Sequence, residues 1–193
     1  FSTDLANAQI DKNLSIWNNK PPVTCPFAQS EIFEGIGFTD KITTYTEADT
    51  WYPFWAEDGN MYSSFTDGTV GEVNSWCSNR DSRGFSEPGF ATISGDNPFE
   101  LQITNTGIFK ETIDGNYDGR YPCATIVHKG VWYYGTYALK NIYNTNYGVL
   151  GPFCGFSVSS DMGKNWEKSP FTPEKPMFDD TDKNNGSVKI GAP

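Results

Sequence analysis

Two stretches of this chain answer one another at a distance of 69 to 71 residues, and that spacing limits the fold more than any other feature. Trp51 to Ala56 is an aromatic-rich run, Glu57-Asp58-Gly59-Asn60 reads as a turn, and Met61 to Thr66 is a second β-prone run that stops at Asp67-Gly68. The plan returns between Tyr121 and Tyr137: Tyr52-Pro53 answers Tyr121-Pro122, Asp58-Gly59 answers Lys129-Gly130, and Tyr62 answers Tyr133. A hairpin recurring at a fixed interval is the mark of a repeat architecture, in which each unit buries its apolar face against the next.

Each hairpin opens a four-strand pattern. The first repeat predicts strands at Trp51–Ala56, Met61–Thr66, Gly89–Ser94 and Glu100–Asn105, with a long loop from Gly68 to Ser86. The second predicts them at Cys123–His128, Val131–Ala138, Phe153–Ser159 and Trp166–Ser169, with a loop from Asn141 to Gly151. Residues 1–20 carry weak patterning that suits a short amphipathic helix or an arm, Pro21-Pro22 ends it, and residues 30–46 read as a strand plus connection. The expected division is residues 1–46 as an N-terminal segment, 47–110 and 118–172 as two repeats, and 173–193 as a linker with the start of a third. Composition agrees with an all-β chain: 19 glycines, 12 prolines and 16% aromatic residues go with short strands and frequent turns.

The formal charge of −10 leaves no basic surface for nucleic acid or an anionic membrane. An acidic surface is also the ordinary state of a soluble secreted protein, and neutral polysaccharide is compatible with it. No run of about 18 apolar residues exists to span a membrane as a helix. The start at Phe1, without a leader-like stretch, reads as a processed mature form, and secretion is the expected localisation. Cys25, Cys77, Cys123 and Cys154 lack zinc-ligand spacing, so disulfides in an oxidising compartment are expected, with the pairing open. Asn13 and Asn185 head glycosylation sequons. No cofactor is expected; Asp179-Asp180-Thr181-Asp182 has oxygen ligands of the kind calcium takes, though a solvated loop accounts for it more simply.

The last turn of the second repeat, Ser159-Ser160-Asp161-Met162-Gly163-Lys164-Asn165-Trp166, has the form Ser-x-Asp-x-Gly-x-x-Trp. In such a turn Asp caps backbone N–H groups, Gly takes a positive φ and Trp packs between sheets. This is an Asp-box, and four-stranded units of about 70 residues ending in one predict a β-propeller, with a β-sandwich as the rival. Three groups of residues carry a closer likeness. These are Asp49-x-Trp51-x-Pro53-x-Trp55-Ala56-x-Asp58-Gly59-x-x-Tyr62, Gly89-Phe90-Ala91-x-Ile93-x-Gly95-Asp96, and Gly148-Val149-Leu150-Gly151-Pro152-Phe153. Together they resemble a secreted family of five-bladed, glycoside-hydrolase-like propellers whose relatives include endo-arabinanases. The resemblance implies a carbohydrate partner, a propeller of which this chain supplies about two blades, and a second chain or fragment supplying the rest, with a further carboxylate on a later blade.

Propeller topology sorts the candidate residues. Connections entering strand 1 and leaving strand 2 share one face, where Asp49, Asp67, Trp76, Asp81, Arg120, Tyr121 and Tyr137 fall. The opposite face takes Glu57, Asp58, Asp96, His128, Lys129 and Asp161, so the sole histidine is a turn residue and no Ser-His-Asp set can form. Glycoside cleavage needs two carboxylates beside an aromatic floor. Asp49 and Asp67 are the expected acid pair, with Glu31 and Glu47 as fallbacks. Arg120 is expected to position or tune an acid, and Trp51, Trp76, Tyr121 and Tyr137 to contact sugar, Trp76 through its exposure in a polar loop. Each has a plainer reading: Asp49 capping a strand, Asp67-Gly68 as an ordinary turn, Trp51 as core. The rival functions are a sugar-binding module without a working acid pair and an assembly protein with open strand edges.

Overall fold

The computed structural model describes residues 15–16, 20–33, 36–39, 41–78, 83–113, 117, 119–140 and 149–178. Among the described residues there are thirteen strands: β1 Ser15–Ile16, β2 Gly37–Phe38, β3 Phe54–Trp55, β4 Met61–Phe65, β5 Gly68–Val70, β6 Val73–Ser75, β7 Phe85–Ser86, β8 Gly89–Ser94, β9 Gln102–Ile108, β10 Glu111–Thr112, β11 Gly119–His128, β12 Val131–Lys140 and β13 Val149–Ser159. No helix occurs among the described residues, which makes the chain all-β. It divides into a unit of residues 1–43 and one of residues 44–193. In the first, β1 pairs antiparallel with β2, which lies within residues 30–46, read from the sequence as a strand plus connection.

The second unit holds two antiparallel meanders. The first sheet runs β3-β4-β8-β9 and the second β11-β12-β13, and no sheet closes on itself among the described residues. The second lacks the fourth strand expected at Trp166–Ser169; an isolated bridge between Val158 and Glu167 stands there. β3 covers only part of Trp51–Ala56 because Pro53 has no N–H to give the ladder. Pairing resumes upstream, where the Asp49 and Thr66 backbones exchange hydrogen bonds of 2.9 and 2.8 Å. β9 outruns its expected end at Asn105, which takes φ 47 as the register slips opposite Ala91. The strand continues because Gly107 passes under the Phe90 ring, where any Cβ would lie 2.4 Å from a ring carbon.

Alternation along β4 and β8 builds the core. Tyr62 and Phe90 face the second sheet and join Phe109, Val127, Trp132 and Tyr134; Phe65 and Ala91 face away and pack with Val70, Trp51 and Val73. Buried on both faces, β4 carries serines between its aromatics. Their hydroxyls are satisfied, Ser63 Oγ donating to the Ser64 carbonyl at 2.8 Å and Ser64 Oγ accepting from Thr125 Oγ1 at 3.4 Å. Across the layers the Ser64 N–H donates to Thr125 Oγ1 at 3.1 Å and the Tyr134 hydroxyl to the Gly89 carbonyl at 2.7 Å. Trp166 wedges between the sheets, its ring 4.7 to 5.8 Å from those of Phe90, Phe109, Trp132 and Tyr134.

The turn that delivers Trp166 has the expected geometry. Asp161 Oδ1 accepts from the Asn165 N–H and from Ser159 Oγ, both at 2.8 Å, and the Gly163 N–H donates to Ser159 Oγ at 2.8 Å with φ at 90°. The β11–β12 turn is the two-residue kind with positive φ at both Lys129 and Gly130.

Candidate functional site

At the end of the second unit where β11 begins, the backbone itself brings the candidate acids together. Asp49 bridges Thr66, and Asp67 follows at once. The backbone here is unusual: Thr50, next to Asp49, has φ 45 and Asp67 has φ 24, a region that non-glycine residues, and above all β-branched ones, seldom enter. Gly68 explains part of this. A Cβ there would sit 2.1 Å from the Glu47 carbonyl oxygen, so the chain turns under residue 47 only with glycine at 68. Asp67 Oδ1 accepts the Cys77 N–H at 2.8 Å, and Asp49 Oδ1 accepts the Thr50 N–H at 2.6 Å.

Facing these acids is a group of tyrosines. Tyr121 and Tyr137 are cross-strand partners on β11 and β12, with ring centroids 5.8 Å apart and planes 30° from parallel. Burial pushes both phenols well above the ordinary tyrosine range; the negative field of Asp67 adds to the effect on Tyr121, and Tyr52, the cysteines and Asp67 add to that on Tyr137. Tyr52 is raised by burial first and then by Cys123 and Asp49. Its hydroxyl is buried and meets no hydrogen-bond partner among the described residues. Tyr121 and Tyr137 thus lie together in the field of Asp67, and Tyr52 in that of Asp49. Tyr52 escapes a reading based on acids and tryptophans, although its match with Tyr121 in the repeat was the available signal.

The other expected contacts divide. Tyr137 is 5% exposed, so it backs Tyr121 and offers no open face for sugar. Trp51 stacks on Phe65 at 5.1 Å and donates its indole N–H to the Ala48 carbonyl at 3.3 Å, which is the core role and sets it apart from the tyrosines. Trp76 is half-buried with its indole nitrogen inside, where exposure was expected, because its backbone pairs with Glu87 and draws the loop onto the sheet. Arg120 is 6% exposed and lies on the face of β11 opposite Tyr121.

No disulfide forms, contrary to expectation: Cys25, Cys77, Cys123 and Cys154 are all unbridged. Strand spacing gives the reason. Cys123 on β11 and Cys154 on β13 flank β12, which puts them about 10 Å apart, beyond the roughly 7 Å a bridge spans. Cys77 pairs by its carbonyl with the Arg120 N–H, three residues short of Cys123. Burial raises the Cys77 thiol strongly and holds Cys123 up at about 12.

The opposite end carries a cavity of about 400 Å³ lined by Ala56, Glu57, Asp58, Val127, Gly130 and Met162. Burial opposes the charge on Asp58, but hydrogen bonds from Tyr62 at 2.7 Å and Asn60 outweigh it and lower the carboxyl, while burial and Asp58 lift the Tyr62 phenol to about 12. His128 is exposed at the tip of β11. No group of three metal-ligating residues occurs among the described residues, and no helix there is long and apolar enough to cross a membrane. Asn13, Asp81, Asp179-Asp180-Thr181-Asp182 and Asn185 lie outside the described residues.

Scans against protein-family models, curated proteins and solved structures find no match.

Proposed function

We propose that the chain contributes blades of a β-propeller and acts on a neutral polysaccharide at the end where β11 begins, with Asp67 and Asp49 as an acid pair for glycosidic cleavage. Two successive meanders joined by an aromatic layer, the second closing in an Asp-box turn, support the propeller reading. The observation that carries the functional reading is the Asp49–Thr66 bridge, which holds two acids at adjoining backbone positions beside the Tyr52, Tyr121 and Tyr137 hydroxyls. One carboxyl would protonate the leaving oxygen and the other would attack or activate water.

A second reading, sugar binding without cleavage, has its own support. Each carboxylate already accepts a backbone N–H, from Thr50 and from Cys77, as an acid with a structural duty does.

Asp67→Asn separates the two. Asparagine still accepts the Cys77 N–H and tolerates positive φ, so the fold is kept while the proton chemistry is lost. On a panel of neutral oligosaccharides, cleavage predicts a fall in turnover of about 100-fold or more with binding little changed. Hydrolysis undiminished in both Asp67→Asn and Asp49→Asn sinks the acid-pair assignment. Binding by the parent without turnover selects the second reading.

A further inference from the structure

The cavity at the turn end of the second unit has a divided lining. Ala56, Val127 and Met162 give it apolar walls that continue into the aromatic core, while Glu57 and Asp58 are exposed acids of the same lining. Gly130 adds no side chain, and a Cβ there would meet open space. A volume of about 400 Å³ is in the range that takes a small organic molecule.

Three turns hold this frame. Gly59 lies in the first, Lys129 and Gly130 in the second, Met162 and Gly163 in the third, all with positive φ. The Met162 carbonyl is pinned by the Asn105 side-chain amide at 2.5 Å. The Asp58 carboxylate is positioned by the Asn60 N–H at 3.0 Å and the Tyr62 hydroxyl at 2.7 Å, and still has lone pairs for a further donor. Glu57 makes no hydrogen bond or ion pair among the described residues, and Lys129 and Lys164, in the other two turns, pair with neither acid.

The lining selects among ligands. Two carboxylates on a chain of net charge −10 repel an anion and draw a cation. No aromatic ring lines the cavity to stack on a sugar. Its apolar walls offer no oxygen to a metal ion, and no group of three metal-ligating residues occurs among the described residues. A cation that carries its own apolar stem suits both halves, the stem against Ala56, Val127 and Met162 and the charged head at Asp58 and Glu57.

We propose that this cavity binds a primary ammonium group on an aliphatic stem, either a free alkylamine or the side chain of a lysine in another polypeptide. It uses neither Asp49 nor Asp67, so it stands whether or not those acids cleave anything.

Titration of the isotope-labelled intact chain with pentylammonium, ethylammonium and pentanol, followed by amide NMR shifts at constant ionic strength, tests this. Pentylammonium is expected to shift the Asp58, Gly130 and Met162 amides saturably. It should bind at least tenfold more tightly than ethylammonium, since each buried methylene contributes about fourfold. Pentanol should bind about threefold more weakly or worse, the scale set by exposed ion pairs, and the double variant Glu57→Gln, Asp58→Asn should lose that difference. Nα-acetyl-lysine methylamide binding as tightly as pentylammonium supports the site and identifies a lysine side chain as its ligand; binding much more weakly supports it and identifies a free amine. No saturable shift, or pentanol or ethylammonium matching pentylammonium, overturns the proposal on the parent alone. A folded double variant that keeps the preference for pentylammonium over pentanol overturns it as well.

Discussion

Asp161 shows how much a single side chain carries in this fold. It is half-buried, and the Asn165 side chain, the Asn165 N–H and Ser159 hold its carboxyl at about 2 against an ordinary 3.8. A folded-state value below the unfolded one means that the unfolded chain takes up the proton first as pH falls. The stabilisation is therefore complete above about pH 4 and is lost between pH 4 and pH 2. Thermal melts across that window are expected to fall less steeply for Asp161→Asn than for the parent. Parallel curves would mean that the turn draws nothing from the charge. The Ser-x-Asp-x-Gly-x-x-Trp spacing made this turn legible in advance because all its bonds are local. The Asp67–Cys77 bond was not legible, because it closes across ten residues of loop and depends on where the loop settles.

Among the elements, the decisive contact is the packing of one meander on the other. Trp166 contributes from an isolated bridge rather than a strand, and its ring touches two residues from each meander's side of the aromatic layer. Truncating a large aromatic in such a setting removes its buried area and leaves a cavity, so Trp166→Ala is expected to cost about 3 kcal/mol. A urea titration should show this as a lowered midpoint with an unchanged slope. A loss below about 0.5 kcal/mol would place Trp166 at the surface in solution. Strand positions followed from the β-prone runs between turn residues in β4, β8 and β12, while strand ends did not. β9 and β11 run past their expected limits because Gly107 and the bulge at Cys123 let the ladder continue through residues that read as stops.

The cysteines act at the scale of the whole molecule. Their number and apparent compartment argued for bridges, but all four are unbridged, β12 stands between Cys123 and Cys154, and Cys77 and Cys154 are fully buried. Denatured without reductant, the protein is expected to titrate four free thiols per chain. In the native state Cys77 and Cys154 should react last with a thiol reagent, since burial both blocks access and suppresses the thiolate. Two free thiols in the denatured protein would reveal a bridge and call for movement of β11 against β13 or of the loop after β6.

By itself the sequence determined that the chain is all-β and where its hairpins turn, because these follow from φ preferences and from the β-prone, aromatic-rich runs that flank the turns. It also put Asp49, Asp67, Tyr121 and Arg120 near one end of the second unit, through the order of strands alone. Only the tertiary structure decided which side chains meet: Tyr121 with Tyr137 beside Asp67, Trp51 in the core, Trp76 drawn inward, and Arg120 buried on the far face of its strand. Contacts of that kind depend on how two sheets and a loop settle on one another, and that packing is a property of the whole chain, which no local stretch of residues encodes.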